Sequence, residues 1–382
     1  MDKHNTLSDR QLRHAKNALI VITIVVILAV LKWSREVSIV IVLSIFLFLL
    51  LNPIARKLEK AKIPPILATI ISMLVLLMVI FTAIIFFFYA VDLLIRTLPR
   101  YANRFSELES FITNKINSFV ELPSDFSLLG EFNINWINLL LSTLTSVSSM
   151  AITIVSRGIL VVIFVVFLLL ERDTIIPKIV EFANDKDSMA VDQLFLRINR
   201  QISKYLLLKS FISAITGVAF FLCTKAVGLE FSLLCGVLAF VLNFIPTIGS
   251  IFISILTVLI AVLQFFPHWS PILFVAFGTI IIEGVLGNII DPKLQGNQLN
   301  LSPFVLLFSL TLWGYIWGIV GMFLAVPMMS MLQIVLANIE QTKPFAVLLA
   351  GGKQQKKEHK KRKTDPEQSF KDSIVLPSEP KK

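Results

Sequence analysis

The sequence predicts an all-α polytopic membrane protein: six spans plus two broken re-entrant hairpins, or eight spans if the broken segments cross, with amphipathic helices outside the membrane. Three observations carry this. The 382-residue chain is 56% hydrophobic and 16% charged, with a mean hydropathy of +0.82, whereas globular domains average roughly 25% charged residues. Uncharged runs of membrane-crossing length recur, at about 20 apolar residues per 30 Å of hydrocarbon. Two further apolar runs are far too long for one helix and carry Pro and Gly near their middles. A disordered chain, a disulfide scaffold and an ordinary soluble enzyme are excluded. Cys223 and Cys235 set no disulfide framework or metal cluster and read as small buried hydrophobes.

In chain order, residues 1–17 form a basic flank and 18–91 the first three spans. Ala18–Leu31 and Val37–Leu51 are short, separated only by Lys32–Glu36, and read as a tight helical hairpin; Ile66–Val91 is a full span. The first run has the size of a signal-peptide core, but Lys32-Trp33-Ser34-Arg35 follows without a small-residue cleavage pattern, so it reads as a retained anchor. Residues 92–146 form an external segment. Within it Leu94, Leu98, Tyr101, Phe105, Leu108, Ile112, Ile116 and Phe119 recur at steps of three and four. That marks an amphipathic helix, packed on its own protein, on a neighbouring subunit or on the membrane surface.

Residues 147–170 form the fourth span, within an apolar stretch interrupted by Arg157, which either snorkels or serves as a counter-charge in a path. Residues 171–205 make a cytoplasmic helical segment, with a second amphipathic face at Val191, Leu194, Phe195, Ile198, Ile202 and Tyr205. Residues 206–345 form the core, opening with a span that carries Lys209, and 346–382 form a basic, disordered tail. The net charge is +10, and residues 351–382 hold ten Lys/Arg against five acids. Such a tail can bind nucleic acid or anionic lipid. It follows an apolar segment, so it reads instead as a basic cytoplasmic flank. Lys/Arg bias before Ala18, after Leu51 and after Leu170 agrees with both termini in the cytoplasm.

The two over-long runs say most. Phe231–Phe266 contains Asn243-Phe244-Ile245-Pro246-Thr247-Ile248-Gly249-Ser250, and Leu301–Ile339 contains Trp313-Gly314-Tyr315-Ile316-Trp317-Gly318-Ile319-Val320-Gly321, then Pro327. Pro removes a donor and Gly frees the backbone, so each run breaks. Broken backbone in hydrocarbon must be buried in protein or line a wet cavity, and paired interrupted segments point to a transport site. Between them lies Glu283, with Gly287, Asn288 and Asp291 following on neighbouring turns. Carboxylates at membrane depth are costly and mark pathways. Glu283 is the candidate proton or cation carrier; Asp291 either joins it or caps the membrane end. A structural ion pair with Arg157 or Lys209 is the plainer role for Glu283.

No P-loop, HExxH, GxSxG or dinucleotide turn is present. No ATPase, metal site, enzyme or cofactor is expected, and nothing signals nucleic-acid binding.

At these residues the chain resembles the autoinducer-2 exporter family, PerM-like permeases of the bacterial inner membrane. The matching pieces include Leu168-Leu169-Leu170-Glu171-Arg172-Asp173, Asn243-x-Ile245-Pro246-x-x-Gly249, Asn288-x-x-Asp291-Pro292-x-x-x-Gly296, Leu301-Ser302-Pro303, Trp313-Gly314 and Gly318-x-x-Gly321-Met322-x-x-Ala325-Val326-Pro327. Two departures are Lys209, where Gln is common, and Ser250, where Pro often follows the glycine. The resemblance implies a transporter of small polar solutes such as a furanosyl autoinducer-type signal, or a sodium or lithium/proton antiporter. It also implies ring-like homo-oligomers, pentamers among them. The expected path comprises Asn243, Pro246, Gly249, Glu283, Asn288, Asp291, Gly314, Gly318, Gly321, Arg157 and Lys209, coupled to H+ or Na+. A reading from another class is a non-transporting membrane scaffold that recruits partners through its tail and amphipathic helices.

Overall fold

The apolar runs fold as helices in the computed structural model, which describes residues 18–19, 22–118, 156–174, 177–178, 188–295, 301–338 and 342–351. In order these are α1 (Ile22–Trp33), α2 (Arg35–Lys60), α3 (Pro65–Asn117), α4 (156–174), α5 (Ser188–Ala226), α6 (Ser232–Leu242), α7 (Ile248–Phe265) and α8 (Trp269–Ile282). A π-helix (Glu283–Ile290) then leads into α9 (Asp291–Gln295), followed by α10 (Pro303–Trp317), α11 (Ile319–Asn338) and α12 (Lys343–Leu349). Six described stretches are long and apolar enough to cross a membrane: α2, Pro65–Phe86 of α3, Asp192–Ala226 of α5, α7, Trp269–Gln295 and α11. Large apolar side chains such as Met78, Phe81, Ile255, Phe277 and Ile280 lie exposed along them. A water-soluble protein would not leave so much contiguous apolar surface uncovered, whereas lipid covers it.

The chain divides into two units. One holds residues up to Lys178 with Leu206–Leu294, the other Ile179–Tyr205 with the residues from Gln295 onward.

In the first unit, α6 and α7 form an antiparallel hairpin. Ala239 packs with Ile253 and Phe231 with Ala261. At the open end Gln264 accepts from the Glu230 amide at 2.8 Å and donates to the Gly228 carbonyl at 2.9 Å. These pairings step back along one arm as they step forward along the other, which only a reversed chain can do. The tip is Asn243–Thr247. Helix α5 flanks α6 so closely that a Cβ on Gly217 would lie 2.7 Å from the Gly236 carbonyl oxygen, and one on Gly236 would lie 2.8 Å from that of Gly217. Small residues let the two backbones touch.

In the second unit, α10 and α11 form the other hairpin. Ser302 caps α10 by accepting from the Val305 amide at 3.2 Å, with Pro303 in the first turn. The Ser309 hydroxyl donates to the Ala325 carbonyl at 2.8 Å across the arms. Gly318, at φ 67° and ψ −142°, makes the reversal. This is backbone space that side chains avoid. Pro327 stays inside α11.

Both over-long runs therefore double back, and neither is a single kinked rod crossing once. Two other expectations are corrected. The two N-terminal runs are joined by Ser34 alone, not by a reversing loop. Its amide still bonds the Val30 carbonyl at 2.8 Å, and its carbonyl still accepts from Ser38 at 2.9 Å, so the chain bends without returning. The external amphipathic segment is no separate surface helix: α3 runs unbroken through residue 91 for 53 residues, about 80 Å. Its far half packs on its own protein. Arg100 pairs with Glu230 at 2.8 Å, the Tyr101 hydroxyl donates to Gln264 at 3.2 Å, and the Phe111 ring meets Phe266 at 5.0 Å. Helix α5 runs through 205/206 without a break, and the division between the two units falls at that same boundary. The basic flank (1–17), residues 119–155 of the external segment and fourth span, and the tail beyond 351 lie outside the described residues.

Candidate functional site

The α6–α7 tip is built by strained backbone. Thr247 has φ 63° and ψ −55°, and the Ile248 amide bonds the Pro246 carbonyl at 2.6 Å. This is a γ-turn of the rare positive-φ kind, and a β-branched residue at its centre is costly. Pro246 fixes the approach to the turn, and Gly249 makes the return possible. A Cβ on Gly249 would overlap the Leu242 carbonyl oxygen at the end of the incoming arm. The second hairpin repeats the device, since a Cβ on Gly321 would overlap the Trp313 carbonyl oxygen. There Gly314 faces the Met322 side chain, and the Trp313 and Trp317 rings stack at 4.9 Å. Each tip thus presses one arm's carbonyl onto the other arm's glycine.

Several polar groups gather around the first tip. Buried Asn243 donates through Nδ2 to the Ser213 hydroxyl of α5 at 3.0 Å. One turn earlier on α5, Lys209 donates through Nζ to Asp291 Oδ2 at 2.8 Å, with side chains 5% and 14% exposed. Glu283 opens the π-helix. Ser250, in the first turn of α7, stands beside its carboxylate. Glu283 Oε2 lies where a Cβ on Gly287 would be 3.0 Å away, so Gly287 leaves room for the carboxylate. Glu283 Oε1 is buried with no hydrogen-bond partner among the described residues. A buried carboxylate oxygen left unmatched is expensive, and such groups ask for an explanation. The π-helix itself is uncommon and concentrates at functional positions.

The expected residues are thus partly united. Asn243, Pro246, Gly249, Glu283 and Asp291 belong to one unit, with Lys209. The charge partner of Lys209 is Asp291, not Glu283. Asn288 lies exposed on the π-helix. Gly314, Gly318 and Gly321 build the second unit's tip. Arg157 is not gathered with the rest. It pairs with Glu36 at the start of α2 at 2.8 Å, and both side chains are well exposed. The structure adds three residues that the sequence did not single out for the site. Ser213 and Ser250 are hydroxyls inside apolar runs, with no outward sign of a role beyond the departure noted at Ser250. Arg172 is 3% exposed and pairs with Glu59, locking the ends of α4 and α2 together. No group of His, Cys, Asp and Glu able to hold a metal ion occurs among the described residues.

Residues 21–341 match the family model described as AI-2E family transporter. A putative transport protein of Borreliella burgdorferi is 30% identical over 87% of this chain and 89% of its own length. The AI-2 transport protein TqsA of Escherichia coli K12 is 30% identical over 86% of this chain and 93% of its own. A putative transport protein of Haemophilus influenzae is 30% identical over 85% and 93%.

Proposed function

Because this chain belongs to the AI-2E transporter family, and is thereby a multi-pass membrane transporter, we propose that it is a secondary-active exporter of a small polar solute, with Glu283 coupling movement to protons or sodium. The observation that carries the proposal is the buried, unpartnered Oε1 of Glu283 beside a broken helix tip. A proton or a desolvated cation completes that atom's coordination; its departure restores an uncompensated buried charge that favours a different arrangement of the tip. Solute is held by backbone groups freed at Asn243–Gly249 and by the Asn243 amide. The name of the Escherichia coli relative, an AI-2 transport protein, supports a furanosyl autoinducer-type signal as cargo. The Lys/Arg bias supports cytoplasmic termini, the bacterial relatives support an inner-membrane location, and the protein works as a ring-like homo-oligomer.

The test is efflux of such a solute from vesicles under an imposed pH gradient. Glu283→Gln, inserted to the same level, is expected to abolish the dependence on the gradient; unchanged transport removes the coupling role. A sodium or lithium/proton antiporter is the second reading. It is favoured by the Lys209–Asp291 pair, in which an ammonium occupies a carboxylate that a sodium ion would otherwise take. Sodium-driven proton movement in vesicles free of organic solute separates the two.

A further inference from the structure

We propose that the first half of α5 carries a binding site for the phosphate headgroup of an anionic phospholipid, formed by Arg197, Arg200 and Lys204. The transport reading does not use these residues, and the inference is independent of it. They stand at successive turns of one helix, spaced three and four residues apart, so their side chains share a face along about 10 Å. All three are exposed, while Ile202, Ser203 and Tyr205 between and beyond them are buried. The basic face is therefore the one turned away from the protein's packing. It borders a concavity of about 410 Å³, whose other lining residues are Leu196 and Gln201.

Among the described residues, no carboxylate pairs with Arg197, Arg200 or Lys204, although other exposed arginines such as Arg96, Arg100 and Arg104 have acidic partners. Three cations close together repel one another, and a shared anion relieves that repulsion. Two arginines provide planar forks that grip phosphate oxygens in pairs, and lysine adds a point charge. Gln201 supplies an amide donor, and Leu196 supplies an apolar edge.

Depth selects lipid over a soluble phosphate. The same helix continues without a break into an apolar stretch from Leu206 to Thr224, whose one cation, Lys209, is buried and paired. At 1.5 Å per residue, Lys204 stands about 3 Å and Arg200 about 9 Å before that stretch, and Arg197 about 14 Å. The headgroup layer is about 5–8 Å thick on each side of the hydrocarbon. Lys204 and Arg200 therefore fall at or near phosphate level, with Arg197 reaching back toward it from the aqueous side.

The experiment uses the full chain in phosphatidylcholine nanodiscs containing a spin-labelled lipid, either phosphatidylglycerol or phosphatidylcholine. The fraction of immobilised label gives relative affinity. Wild type is expected to prefer phosphatidylglycerol. The triple variant Arg197→Gln/Arg200→Gln/Lys204→Gln is expected to lose up to about a hundredfold of that preference, at about fivefold per basic residue near the surface. A control triple on α2 and its following turn, Lys57→Gln/Lys60→Gln/Lys62→Gln, should retain the preference. Equal loss in both triples, or none in either, overturns the site. A second arm adds inorganic phosphate at 50 mM against a sodium chloride control of equal ionic strength. Displacement of the labelled lipid by phosphate alone overturns the lipid assignment in favour of a soluble anion. Should the triple variant fail to assemble, Arg200→Gln alone is read by the same ratio, and an unchanged ratio there likewise overturns the proposal.

Discussion

Substituting Asp291→Asn tests how the polar cluster of the first unit is held. The substitution leaves the Lys209 ammonium in a site where its side chain is only 5% exposed, with no opposing charge from Asp291 at 2.8 Å. At an effective dielectric of about 20, two unit charges that close attract by about 6 kcal/mol. Most of this offsets the cost of stripping water from both ions. What a single substitution exposes is the uncompensated remainder, typically about 3–5 kcal/mol. Removing both charges, as Lys209→Met/Asp291→Leu, deletes the penalty along with the attraction and should leave stability near wild type or about 1–4 kcal/mol higher. The exposed pair Arg157–Glu36, with side chains 38% and 80% exposed, is the internal standard; Glu36→Gln should cost about 0–1 kcal/mol. The assay is equilibrium unfolding in mixed micelles followed by tryptophan fluorescence, with all four proteins measured together. If Asp291→Asn falls within about 1 kcal/mol of wild type, or the double variant is as unstable as the single one, the Lys209–Asp291 pair is not a buried, coupled unit and the reasoning fails.

Three further outcomes follow from the tips and from the far half of α3. Gly249→Ala and Gly321→Ala should each destabilise by about 1–3 kcal/mol in the same unfolding assay because the methyl overlaps a backbone carbonyl, while Gly158→Ala, with open space around it, should not. Thr247→Gly should stabilise by about 1 kcal/mol by relieving the positive-φ turn, and a tip that depends on that strain should then transport more slowly in the vesicle assay. Tyr101 lies beyond the span of α3; burial, then the neighbouring Glu230 charge, pushes its phenol above the usual value of about 10. The neutral phenol therefore stabilises the fold below pH 10, and that contribution is lost as pH rises further, so melting temperatures measured from pH 8 to 12 should fall less steeply in Tyr101→Phe.

Much of this was legible in the chain. Asn243–Gly249 and Gly318 mark their breaks because Pro and Gly act locally, through a missing donor and a missing Cβ. The composition dictates helices because no other element satisfies backbone groups in lipid along an open chain. What local rules do not carry is partnership and continuity. Nothing in the sequence assigns Lys209 to Asp291 in place of Glu283, since that depends on how far α5 lies displaced along the π-helix. The charges at Asp92 and Arg96 suggested the end of a helix, yet α3 passes through them. A helix satisfies its own backbone groups in water as in lipid, and Asp92 and Arg96 pair with each other at 2.9 Å on its surface. Ser34 misled in the opposite way: a charged interval between two apolar runs resembles a loop, but its residues are good helix formers and only one leaves helical geometry.

The touching backbones of Gly217 and Gly236 have a mechanical consequence. Helices normally slide past one another on a cushion of side chains that swap rotamers as they go; at this crossing the two glycines remove most of that cushion. Helices α5 and α6 are therefore expected to move together at this crossing. Compliance must come from the neighbours of that pair, which makes α7 and the stretch beginning at Glu283 the places where paired spin or fluorophore distances should change during turnover.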